Sequence, residues 1–180
     1  MKTGVVRHSR NRIVWLMFLM LSATITAAII DGFEYAISNQ FMLVAFIPML
    51  MGTGGNAGAQ ASTMVVRGIA LGEIRPKDFL KVLWREIRVG VLCGIALAIV
   101  NFARIYFMGS GDSIVKLAII VSASLTATVI IAKSVGCLLP LAAKKLNIDP
   151  AVIAAPLITT IADAASLIIY FSIATIILNL

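Results

Sequence analysis

The chain has 180 residues, 61% of them hydrophobic and only 13% charged, with a mean hydropathy of +1.04, whereas a soluble domain is roughly 45–50% apolar and about 25% charged. That balance excludes a soluble globular fold, and five spans of about 20 residues each would fill more than half of the length, leaving little for a soluble domain. The formal net charge of +7 comes from basic residues beside apolar runs rather than along one polar face, so it reads as membrane orientation and not as nucleic-acid binding.

The first apolar run, residues 13–30, follows a short basic segment, residues 1–12. It is long enough to span and has no persuasive small-residue cleavage site, so it reads as helix one rather than a signal peptide. The second run, residues 38–68, contains Pro48 and the tract GTGGNAGAQ at 52–60. It exceeds one perpendicular crossing, which predicts a tilted, kinked or locally unwound helix two, with the glycine cluster as the irregular point. Residues 69–86 mix charges with Leu71, Ile74, Phe79, Val82 and Leu83, the pattern of an interfacial amphipathic segment, expected as a helix lying at the membrane surface. Helix three is expected over 89–108 and helix four over 114–144, the two joined by the turn Gly109-Ser110-Gly111-Asp112. After Asn147-Ile148-Asp149, Pro150 opens helix five at 151–178, since its missing N–H would have no intrahelical partner there.

The expected architecture is therefore all-α and integral to the membrane, with five transmembrane helices forming one unit over residues 13–180. Thirteen of the fifteen Lys and Arg fall before helix one, at the second-to-third connection or toward the fourth-to-fifth connection, where Lys133, Lys144 and Lys145 are counted, leaving only Arg104 and Lys116 elsewhere. By the positive-inside rule the N-terminus is cytoplasmic and the C-terminus lies outside. The lone His8 sits in the basic tail, and no nucleophile–base pair is evident, so the chain does not read as an enzyme. Cys93 and Cys137 stand in separate apolar stretches and read as packing residues. Lys133 is expected to approach the cytoplasmic interface and snorkel.

Asp163 is the outstanding residue. It lies about 20 Å along helix five from Pro150 at the helical rise, among apolar and small polar neighbours. An ionised carboxylate at that depth costs about 2.5–3.5 kcal/mol even on translocon scales, so such groups face a cavity, a partner or an ion. Thr159, Thr160 and Ser166 add oxygens at helical spacing, and Thr159 and Ser166 share the Asp163 face. An oxygen-only stripe suits hard cations such as magnesium or calcium, although the hydroxyls alone would also serve interhelical hydrogen bonding. In the helix-two tract, Gly54 and Gly58 form a GxxxG pattern that fits close packing. Asn56 and Gln60 beside the glycines fit instead a wet pore.

The strings IPMLMGTGGNAGAQASTMVVRGIALGEI (47–74) and LPLAAKKLNIDPAVIAAPLITTIADAASLIIYF (139–171) resemble the membrane domain of MgtE magnesium channels and their eukaryotic carrier relatives. The resemblance implies a homodimer in the cell membrane, multi-pass, with helices two and five of both chains around one central pore. It implies that Asp163 binds hydrated magnesium, the transported ion, helped by the Thr159 backbone carbonyl. Gly52, Gly55 and Asn56 would line the pore with Gln60, Ala155, Thr159, Asp163 and Ser166, and Asn56 is a further metal candidate. Asp149 corresponds to a loop aspartate and is a candidate ion site on the cytoplasmic side. Ala155 stands where some relatives carry a polar pore residue.

The family's bacterial members carry an acidic N-terminal domain and a CBS-domain pair that sense magnesium, whereas about twelve residues precede helix one here. The expectation is a naturally short member or an excised piece, with room for a separate regulatory partner. The residues leave two alternatives open: a sodium- or proton-coupled divalent cation carrier, and a membrane scaffold subunit that does not transport.

Overall fold

A computed structural model describes residues 5–109 and 113–179, apart from the side chains at 5, 7, 8, 11, 12, 14, 15, 39 and 151–156. Every described element is helical: α1 (Val5–Gly32), the short α2 (Glu34–Asn39), a 3-10 segment (Phe41–Phe46), α3 (Ile47–Ala70), a 3-10 turn (Pro76–Asp78), α4 (Phe79–Met108), α5 (Ile114–Lys145) and α6 (Pro150–Leu178). Among the described residues, four segments are long and apolar enough to cross a membrane: Phe41–Ala70, Pro76–Met108, Ile114–Lys145 and Leu157–Leu178. Leu16–Gly32 of α1 is a shorter apolar helix.

Two expectations change. The glycine tract is not the irregular point of the second run, because α3 passes through it as regular α-helix; the break comes earlier, in α2 and the 3-10 segment before Pro48. Pro48 occupies the first turn of α3, where its missing N–H costs nothing. Nor do residues 69–86 form a separate helix. They comprise the end of α3, a turn, the 3-10 turn and the first turns of α4. Gly72 ends α3 in the left-handed region at φ 72°, and the amides of Glu73 and Ile74 cap the Gly68 carbonyl. Arg75 begins the next element, its backbone amide donating to Asp78 at 3.0 Å. At the end of α5, Asn147 takes the equivalent left-handed position (φ 58°), and the Ile148 amide reaches the Ala143 carbonyl at 2.9 Å. The turn residues 110–112 and the side chain of His8 lie outside the described residues.

α5 is the centre of the bundle. It packs on α4, α6 and α3, and α3 also packs on α6, while α1 rests mainly on α6. Its buried face, including Leu117, Ile120, Val121 and Leu125, joins Leu43, Ile47 and Leu50 with Leu167, Tyr170 and Phe171 in one apolar core. Phe33 stacks on Phe171 with ring centroids 5.1 Å apart. A smaller cluster of Val65, Cys137 and Leu141 closes the opposite end.

Small residues set the helix spacing. A side chain on Gly136 of α5 would strike the Gly58 backbone of α3, and one on Gly94 of α4 would come within 3.0 Å of Thr126 on α5. Such contacts between small residues are how apolar helices approach closely where lipid offers no hydrophobic drive. α3 therefore lies tight against α5 and α6, which fixes the direction in which its remaining face points.

Candidate functional site

The helical period divides the glycine tract between two faces. Gly54 and Gly58 are buried: a Cβ on Gly54 would meet Ser166 and Thr128 at 2.8 Å, and one on Gly58 would meet Ile158 at 2.6 Å. Gly52, Asn56, Gln60 and Thr63, spaced by four, four and three residues, are exposed along the other face. The packing reading and the polar-face reading thus hold for alternate residues of one tract. Gly55 is buried as well, but with more room: an added Cβ would sit 3.7 Å from the Thr159 methyl of α6.

Asp163 is half-buried on α6 and borders a pocket of about 210 Å³ between α1, α3 and α6. Thr159 and Thr160 border the same pocket, as do Met51 of α3 and Ser22 and Thr26 of α1. The Ser22 and Thr160 hydroxyls stand 3.1 Å apart, joining α1 to α6 at its rim. Sequence reasoning missed the α1 hydroxyls, because Ser22 and Thr26 have no distinguishing neighbours and only the α1–α6 contact brings them to the carboxylate.

The structure brings together Thr159, Thr160 and Asp163, and sets Gly55 beside Thr159. It does not bring Ser166 to the pocket: that hydroxyl is fully buried and donates to the Ala162 carbonyl. Gln60 stands farther along the exposed face, its Oε1 accepting from Lys133 at 3.3 Å. Asp149 is exposed in the turn before α6, apart from the pocket. The side chain of Ala155 lies outside the described residues. Among the described residues, no group of three or more His, Cys, Asp or Glu is placed to hold a metal. One carboxylate with a surround of hydroxyls is too sparse to strip a magnesium ion of its water. It is chemically suited to a cation that keeps several waters as ligands, as magnesium does.

Lys133 departs from expectation. It does not snorkel to the surface but is buried, 4% exposed, and pairs with Glu86 of α4 at 3.8 Å in addition to Gln60.

Residues 47–173 match the family model MgtE, described as a divalent cation transporter. The chain is 34% identical over 178 residues to the magnesium transporter MgtE of Thermus thermophilus, an alignment covering 99% of this chain and 39% of the relative. It is 36% identical to the magnesium transporter MgtE of Bacillus subtilis, covering 92% of this chain and 36% of that protein. With the protein of the same name from Enterococcus faecalis the figures are 29% identity, 94% and 37%. The chain thus spans well under half the length of these relatives. Four long apolar helices carrying that signature make it a multi-pass membrane protein. The chain belongs to the MgtE family of divalent cation transporters.

Proposed function

We propose that this chain forms the pore of a magnesium-conducting channel, with Asp163 as the ion-binding carboxylate. The observation that carries the reading is the placement of Asp163 at a hydroxyl-rimmed pocket between α1, α3 and α6. The relatives' names supply the ion. A lone carboxylate in that setting is costly unless it serves an ion or a partner.

A second copy completes the site. The exposed amides of Asn56 and Gln60 would be expensive against lipid, and a two-fold pairing of α3 and α6 turns them toward a shared, water-filled path. Two Asp163 carboxylates then match the charge of one divalent ion. Magnesium crosses with much of its water, held through that water by Asp163 and the Thr159 carbonyl, and Gly52 and Gly55 keep the path wide. α1 serves as the fifth span. The basic N-terminal segment and the end of the bundle near residues 67–88 face the cytoplasm, so Asp149 lies on that side as well.

The test is magnesium uptake into liposomes containing the purified chain, driven by membrane potential alone. Asp163→Asn keeps the shape and removes the charge, so it abolishes uptake while leaving a folded dimer. Wild-type uptake through well-folded Asp163→Asn protein overturns the site. Strict dependence on a sodium or proton gradient shows a coupled carrier instead, and no uptake by the wild-type chain favours a scaffold.

A further inference from the structure

Lys133 is a full positive charge in the interior of a bundle read as conducting cations, and nothing in that reading uses it. Its ammonium has two partners on two different helices. On α3 it donates to Gln60 Oε1 at 3.3 Å, and on α4 it pairs with Glu86 at 3.8 Å. An ammonium offers only donors, so Gln60 must present its oxygen inward and leave its amide nitrogen toward the exposed face it shares with Asn56. Glu86 reaches in the other direction. Its carboxylate borders a pocket of about 540 Å³ between the end of α3 and the first turns of α4.

One buried side chain therefore connects the polar face of α3 to a pocket at the basic end of the bundle. The electrostatics are one-sided if either partner is lost. Without Glu86, Lys133 would set an uncompensated positive charge behind Gln60 and repel a divalent cation; without Lys133, Glu86 would attract it. We propose that Lys133 and Glu86 are a charge-balanced pair of positioning residues, which orient Gln60 and keep that end of the ion path electrically neutral. This rests on the conduction reading above.

The two single variants separate this role from simple packing, because balance predicts shifts of opposite sign. The measurement is the half-saturating magnesium concentration for uptake into liposomes, using the full chain and magnesium alone. For a unit charge about 10 Å from a divalent ion, at an effective dielectric between about 20 and 80, the shift runs from about fourfold to a few hundredfold. Glu86→Gln raises the half-saturating concentration by an amount in that range, Lys133→Met lowers it, and the double variant returns it close to wild type. Shifts in the same direction, no shift in either, or a double variant that keeps the Glu86→Gln value would each overturn the proposal. If Glu86→Gln does not fold, Lys133→Met decides alone: a fall supports the pair, and an unchanged or raised value refutes it.

Asp163→Asn serves as the companion control. If it shows no uptake while both single variants behave as wild type, only the charge-balance proposal fails. Normal uptake through it overturns the Asp163 site alone, whereas no uptake by the wild-type chain ends the conduction reading and takes this proposal with it.

Discussion

The phenolic hydroxyl of Tyr170 on α6 donates to the main-chain carbonyl of Leu43, 2.9 Å away in the 3-10 segment before α3, and both residues are fully buried. A carbonyl has two lone pairs, and a 3-10 ladder bonds it with poorer geometry than an α-helix does, so a second donor in an apolar surround is favourable. Tyr170 thus supports the irregular backbone that leads into α3.

Tyr170→Phe removes the donor and keeps the ring. The expected loss is about 0.5–1.5 kcal/mol, the net worth of one intramolecular hydrogen bond. Chemical denaturation in detergent measures it, and an unchanged midpoint would show that the Leu43 carbonyl finds another donor.

The two faces of α3 make contrasting demands on glycine. An added Cβ at Gly58 would sit 2.6 Å from Ile158 and 3.1 Å from the Ala132 carbonyl, whereas at Gly52 it would meet nothing within 4 Å. Gly58→Ala is therefore expected to cost roughly 1–3 kcal/mol through overpacking. Gly52→Ala leaves the unfolding midpoint of the chain unchanged. Equal midpoints for the two variants would refute the division of the tract into a packed and an open face.

Helix α1 depends on few contacts, and the Ser22–Thr160 hydrogen bond is one of them. Ser22→Ala and Thr160→Ala should each cost about 0.6 kcal/mol, typical of side-chain hydrogen bonds between membrane helices. Because they share one bond, the double variant should lose little more than either single one. Additive losses in a double-mutant cycle would mean that the hydroxyls act separately.

The long helices were legible because each is a continuous apolar run with a local stop. Gly72 and Asn147 supply left-handed ends and Pro150 a start, all of them short-range signals. Asp163 stood out for the same reason, as one charge against an apolar background. What escaped depends on residues far apart in the chain. GxxxG does not say locally whether its glycines admit a neighbour or open the backbone; Ile158, Ala132, Thr128 and Ser166 decide that for Gly54 and Gly58. Lys133 looked like a snorkelling residue because its partners belong to α3 and α4. Ser22 and Thr26 acquire meaning only once α1 lies on α6.

The central position of α5 bears on how the protein is made. α3 and α4 pack on α5 and scarcely on each other, yet both leave the ribosome before it. Until Lys133 enters the bilayer, Gln60 and Glu86 lack the ammonium that joins them. The bundle consequently closes late in synthesis, and in a nascent chain halted ahead of residue 114 the long helices α3 and α4 share little beyond the contact of Arg104 with Met49.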